Sequence, residues 1–347
     1  MKYTTSQISK AGEIITTSHD IIAVAGAILK VNEWREHHLP VIELLMTEIQ
    51  DCFRRHSITT DFSSYRLKRM TSIQYKLDFN PDMRLGGMND IAGGRFVFSD
   101  VDTLRQAFSI LCNEIPPQFE IVNKYDYVDV KPKSSGYRSI HMVYRYHSLY
   151  GEDWDKMKVE IQLRTKLQHS WAMAVETAGL VTNTAMKSGQ GSDEWQEFFK
   201  IISCLFCLKE HTLVLPDYCT DSKGNLIKKL QKLDEKNKFS DKLLALKLSM
   251  KNVEKHGFRG YIYLLYIDFN KKHLQVVSFD KSNQNQANVM YNNIETTIND
   301  KDGAVVLVSV SSVKELKEAY PSYFLDMDEF NNQLNTYLKA GRIQVRR

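Results

Sequence analysis

Four short stretches carry side chains whose types and spacing suit the handling of a polyphosphate. Arg66, Lys68, Ser72 and Lys76 form a basic series, and helical spacing would bring Arg69, Ser72 and Lys76, or Lys68 and Ser72, onto adjoining parts of one face. Three cations and a hydroxyl match a triphosphate, and a solvated basic face has the same composition. Asn89-Asp90-Ile91-Ala92-Gly93-Gly94-Arg95 sets an acid just ahead of a glycine pair and a strand. A carboxylate there can hold a hard cation such as Mg²⁺, which prefers oxygen ligands and keeps waters for exchange with phosphate. An Asp-capped turn is the alternative. Lys133-Ser134-Ser135-Gly136-Tyr137-Arg138-Ser139-Ile140-His141 offers a ring for stacking a base beside phosphate-binding charges. In Val159-Glu160-Ile161-Gln162-Leu163-Arg164-Thr165, alternation turns Glu160, Gln162 and Arg164 to one side of a strand, as a catalytic or a merely solvated sheet face would.

The elements that must position these groups can be read from periodicity. Over residues 4–57 apolar residues recur at helical spacing (Ile21, Val24, Ala25, Ile28, Leu29; then Leu39, Ile42, Leu45, Met46, Ile49), divided by the polar stretch 33–38, which predicts an N-terminal helical layer. Ser18-His19-Asp20 is expected to cap the helix after it. Between residues 66 and 175 the pattern changes to short β-rich runs at 94–98, 125–130, 140–146 and 158–163, interspersed with helical ones at 101–113 and 165–177. The expected class is α+β, a mixed, mostly antiparallel sheet flanked by helices. Residues 183–193 are small, polar and Gly-bearing, as in a linker, and a helix follows over 194–209. Residues 223–238 are Lys-rich and 241–253 return to helical spacing. Strands over 260–269 and 273–279 with a turn at 270–272, a helical stretch at 287–298, a strand at 304–310 and helices at 312–319 and 327–338 predict a small C-terminal α+β domain. The expected divisions are 1–57, 58–182, 183–255 and 256–347.

Composition sets outer bounds. The chain has 347 residues, 43% of them hydrophobic, enough for more than one packed unit, and 46 Lys plus Arg against 42 Asp plus Glu give a formal charge of +4. That balance permits contact with nucleic acid without implying it, so phosphate binding must come from local clusters. The N-terminus carries no signal-peptide pattern and the best apolar run, 21–29, is too short to span a bilayer, so a cytoplasmic protein without a membrane or DNA partner is expected. Cys52, Cys112, Cys204, Cys207 and Cys219 lack framework spacing, which suits a reducing compartment. Cys204, Cys207 and His211 lie on one side of an apolar helix, where cysteines serve as small core residues more often than as zinc ligands.

Taken in order and spacing, the four stretches resemble the signature of the RelA/SpoT synthetases: Arg66, Lys68, Ser72 and Lys76; Asp90 to Arg95; Lys133 with Gly136 to His141; and Glu160, Gln162, Arg164 and Thr165. The resemblance covers about residues 61–178 and implies a nucleotidyltransferase-like α+β fold and an ATP pyrophosphokinase. It further implies that Arg66 and Arg95 sandwich the adenine of ATP while Lys68, Ser72 and Lys76 hold its phosphates. Asp90 and Glu160 would bind Mg²⁺, and Glu160 would assist deprotonation of an acceptor 3′-hydroxyl. Tyr137 would stack on the acceptor base, Lys133 and His141 would lie near its phosphates, and Arg138, Gln162 and Arg164 would complete the acceptor site. Ser135 stands where the family commonly has Asn, which leaves the acceptor open.

The longer tail resembles that of the toxic small alarmone synthetases, in particular the fused toxin–antitoxin, CapRel-like phage-defence proteins. That narrower resemblance implies transfer to the 3′ end of tRNA, inhibition of translation, restraint by the C-terminal domain and release by a phage capsid protein. Tyr320 and Tyr323, in Tyr-Pro-Ser-Tyr-Phe, would cover the adenine site. Synthesis of guanosine tetra- or pentaphosphate from GDP or GTP is the first alternative, and a catalytically silent nucleotide sensor the second.

Overall fold

A computed structural model of the chain describes residues 2–68, 70–114, 116–182, 192–241, 243, 262–268, 273–297, 303–309 and 328–340. The chain divides into two compact units, one of residues 1–127 and 139–165, the other of 128–138 and 166–347. No helix among the described residues is long and apolar enough to cross a membrane.

The first unit opens with three helices, α1 (Thr5–Thr17), α2 (Ile21–Glu36) and α3 (His38–Arg55). Their starts follow from local chemistry. Thr4 and Gln7 form a reciprocal capping box at α1, and the carboxylate of Asp20 accepts the amides of Ile22 and Ala23 at 2.9 and 3.2 Å to begin α2, the capping role expected of that acid. On α3 the positions Val41, Ile42, Leu45, Met46, Ile49, Cys52 and Phe53 are all buried, a continuous stripe at helical spacing.

Five strands follow in the order β1-β2-β5-β4-β3: β1 (Phe62–Leu67), β2 (Ala92–Phe98), β3 (Phe119–Asp126), β4 (Ile140–Tyr146) and β5 (Lys158–Thr165). Only β2 and β5 run parallel; the other three pairings are antiparallel. The mixed, mostly antiparallel α+β class is therefore correct. Helix α4 (Met70–Phe79) lies between β1 and β2, and α5 (Val101–Asn113), capped by Asp100, between β2 and β3.

Two expectations need correction. The strand expected over 125–130 is β3, and it ends at Asp126; residues 127–130 form a turn with Val130 74% exposed. The strand itself begins at Phe119, soon after Pro116-Pro117, and Phe119 packs against Tyr144 and Tyr146 of its partner β4. The helix face expected within 68–76 holds for Ser72 and Lys76, which share α4, but not for Lys68. Arg66 belongs to β1, and Lys68 precedes α4 with its amide donating to the carbonyl of Ile91. Six residues of exposed and half-buried character at a sheet edge, Phe62–Leu67, give little alternation to read.

The sheet's register gives it two chemically distinct faces. Phe96, Phe98, Ile161, Leu163, Met142 and Tyr144 are buried on one side. Phe53 of α3 meets Phe96 and Phe98 edge-on at 5.2 and 5.8 Å. At Gly94 a Cβ would fall 2.5 Å from the sulfur of Met46 and 2.8 Å from Cδ1 of Ile161, so glycine there sets how closely α3 approaches the sheet. Each such apolar side chain contributes roughly 1.5 to 3 kcal/mol by burial.

In the second unit α6 (Lys166–Thr182), α7 (Asp193–Glu210) and α8 (Lys223–Asn237) pack with the last helix, α10 (Asp328–Lys339). Their core is aromatic: Trp195, Phe198, Phe199, Phe206 and Phe239 with Phe330 and Tyr337 of α10. The amide of Gln231 donates to the carbonyls of Tyr337, Leu338 and Ala340, closing the end of α10. Cys204 and Cys207 are buried on α7, core residues as expected, and burial pushes the Cys204 thiol up to about 12. A three-stranded antiparallel sheet, β7-β6-β8, holds β6 (Ile262–Asp268) between β7 (His273–Phe279) and β8 (Gly303–Ser309), with α9 (Gln284–Thr297) packed on it.

Candidate active site

The face of the five-stranded sheet opposite α3 carries the polar groups. Register places Arg66, Gly93 and Glu160 side by side across β1, β2 and β5, and the next row holds Ser64, Arg95, Gln162, His141 and Tyr125. Directly paired residues point to the same face, and so do residues two apart on one strand. Arg66, Arg95, His141, Glu160, Gln162 and Arg164 therefore share one surface. Gly93 sits at its middle, where an added Cβ would meet nothing nearer than the carbonyl of Glu160 at 3.7 Å, so a ligand can approach the backbone between Arg66 and Glu160.

Along β5 the polar side chains form a relay. Gln162 Nε2 donates to Glu160 Oε1 at 2.7 Å, and Arg164 Nη2 donates to Gln162 Oε1 at 2.7 Å. Arg164 is buried, and its Nε also reaches Ser139 Oγ at 3.4 Å. The other oxygen of Glu160 lies 3.2 Å from His141 Nδ1, both side chains being 12% exposed. Burial alone would raise the pKa of Glu160, but His141 and the Gln162 amide outweigh it and hold the carboxyl below its ordinary range; nearby Asp90 opposes them. Glu160 is thus a carboxylate at neutral pH, oriented on both sides.

Asp90 precedes β2. Lys68 Nζ and Lys76 Nζ each lie 2.9 Å from one of its two oxygens. Burial again pushes the carboxyl up, yet the two ammonium groups bring it down to about 2. Two strands and one helix are needed for this triplet, because Lys68 leaves β1, Lys76 lies on α4 and Asp90 leads into β2. Ser72 is exposed on α4, one turn before Lys76. Two ionised carboxylates that feel one another, with lysines beside one of them, are a donor set suited to a small hard cation shared with phosphate oxygens.

The remaining expected residues fall elsewhere. Lys133, Tyr137 and Arg138 belong to the second unit. There Gly136, at φ 91°, accepts a hydrogen bond from Ser203 Oγ through its carbonyl at 2.5 Å, and a Cβ on it would press against Ser203 at 3.0 Å. Tyr137 is 7% exposed with the Lys133 ammonium 5.6 Å over its ring. Arg138 is buried and donates to the carbonyls of Tyr137 and Leu213. Tyr320 and Tyr323 lie outside the described residues. Ser139 was not singled out by its own chemistry, yet its hydroxyl bridges Arg164 and the carbonyl of Leu163. Its place in a loop of seven polar or small residues gave no sign of that pairing.

Residues 65–180, a third of the chain, match the family model described as "Region found in RelA / SpoT proteins". Over 116 residues the chain is 34% identical to the GTP pyrophosphokinase YjbM of Bacillus subtilis (strain 168), a stretch covering 32% of this chain and 53% of that protein. The chain thus spans about half the length of this curated relative. Among solved structures it is similar to the small alarmone synthetase 1 from Bacillus subtilis, at 24% identity and a TM-score of 0.44, over 52% of this chain and 93% of that one. It is likewise similar to a GTP pyrophosphokinase family protein from Streptococcus pneumoniae, at 24% identity and a TM-score of 0.42, over 52% and 90%.

Proposed function

We propose that the polar face of the five-stranded sheet transfers the β,γ-pyrophosphoryl group of ATP to a ribose 3′-hydroxyl, with GDP or GTP as acceptor. The observation that carries this reading is the pair of ionised carboxylates, Asp90 just ahead of β2 and Glu160 on β5, with Lys68 and Lys76 at the first and His141 and Gln162 at the second. Pyrophosphoryl transfer demands positioning and charge neutralisation and little covalent help from the protein. Lys68 and Lys76 neutralise Asp90 without nucleotide; a polyphosphate competes for the same two ammonium groups and frees that carboxylate. Asp90 and Glu160 would then hold Mg²⁺, which supplies positive charge against the phosphate oxygens. Glu160 is the group that takes the acceptor's proton, and His141 and Gln162 fix its orientation. Arg66 and Arg95, beside Gly93, would take the purine.

The tRNA 3′ end expected from the tail and a guanosine nucleotide present the same reacting hydroxyl. The identity to a GTP pyrophosphokinase over 116 residues supports the nucleotide. Incubating the full chain with ATP labelled in its γ-phosphate, together with GDP, GTP or deacylated tRNA in separate reactions, tests the choice. Label entering guanosine nucleotide supports it, and label entering tRNA alone would overturn it.

A further inference from the structure

Outside the polar face, the ends of α3 and α5 bring together Cys52, His56 and Glu114, one ligand atom of each lying within 4.8 Å of the others. We propose that these three residues form a zinc site that fastens the two helix ends to one another. The donors are a thiol, an imidazole and a carboxylate, the set that a borderline-soft, four-coordinate ion selects. In tetrahedral coordination at ordinary bond lengths, neighbouring ligand atoms stand about 3.3 to 3.8 Å apart, so the ion would draw the three donors to similar spacing, opening the His56–Glu114 hydrogen bond as it does so. Cys52 Sγ already sits 3.8 Å from Glu114 Oε2, and His56 Nε2 is hydrogen-bonded to Glu114 Oε1.

The helices supply a second reason. His56 is the C-cap of α3 and Glu114 the C-cap of α5, so two carbonyl ends converge on the cluster and favour positive charge there. Arg55 Nη2 meets that demand now, at 3.2 Å from Glu114 Oε2, but its side chain is 62% exposed and can withdraw into solvent. Burial is graded across the three donors, and the exposed pair faces solvent, from which a water can complete four-coordination. Cys52 is 4% exposed, whereas the side chains of His56 and Glu114 are 37% and 42% exposed. Among the described residues no other group of three His, Cys, Asp or Glu side chains converges in this way. The site would pin the end of the helix that covers the apolar face of the sheet, and it uses no residue assigned to pyrophosphoryl transfer.

Titrating untagged, full-length protein with Co²⁺, and then displacing it with Zn²⁺, tests the proposal. One Co²⁺ per chain with a thiolate-to-cobalt charge-transfer band is expected. Cys52→Ser should lose the band, Cys219→Ser should keep it, and His56→Gln and Glu114→Gln should each weaken binding by about tenfold or more. Binding without the band, a band that survives Cys52→Ser, or unchanged affinity in both His56→Gln and Glu114→Gln would overturn the site. If Cys52→Ser fails to fold, the two exposed positions decide alone.

Discussion

Replacing Glu160 by Gln separates charge from shape at the centre of the polar face. The side chain is 12% exposed, and its two oxygens meet His141 Nδ1 at 3.2 Å and Gln162 Nε2 at 2.7 Å. A carboxamide of the same size can still accept from Gln162, and removing a buried charge offsets part of the lost His141 contact. The expected change in folding stability is therefore about 1 kcal/mol or less. The rate should respond differently. Loss of a positioned base costs typically ~10²- to 10⁴-fold, about 3 to 5 kcal/mol of barrier. Single-turnover formation of AMP from ATP in the presence of GDP measures the step, with thermal unfolding and affinity for a non-hydrolysable ATP analogue as controls. A folded Glu160→Gln protein whose rate stays within tenfold of the parent would refute the assignment of that proton to Glu160.

The two adjacent glycines of β2 should behave oppositely. Gly94→Ala drives a methyl into Met46 and Ile161 and should lower stability by about 1 to 3 kcal/mol in denaturant titration, whereas Gly93→Ala should leave stability within about 1 kcal/mol and raise the KM for ATP by crowding the polar face. Acid should weaken the first unit through Asp90. Its folded value of about 2 lies below the unfolded 3.8, so roughly 2 kcal/mol of stability is present above about pH 4 and is lost as pH falls through about 2. Denaturant titrations of parent and Asp90→Asn across that window should converge at the acid end, and a constant gap would show that the Lys68 and Lys76 pairs do not set the carboxyl's titration.

Much of the site was legible because catalytic groups on strands obey a period of two. Glu160, Gln162 and Arg164 were placed on one face by alternation alone, and the structure joins them by hydrogen bonds. Helix ends were legible where a side chain caps them, as at Asp20. What local pattern could not carry was pairing over long separations. Lys68, Lys76 and Asp90 meet only because β1 pairs with β2 and α4 folds between them. Likewise, nothing near Glu114 points to Cys52 and His56, 58 to 62 residues earlier. The last helix, α10, reads as an amphipathic segment, but its packing onto the aromatic core of α7 through Phe330 is a tertiary fact. Deleting the tail from residue 256 would uncover that core, so a clean test of restraint by the tail keeps α10 in place.

The central claim, pyrophosphoryl transfer at Asp90 and Glu160, is tested most directly by the fate of ATP. Full-length protein given ATP, Mg²⁺ and GDP should form AMP in one-to-one proportion to a guanosine nucleotide that has gained two phosphates, with both products formed about 10²-fold or more slowly by Glu160→Gln. ADP and inorganic phosphate as the products, or AMP formed equally well by Glu160→Gln, would contradict it.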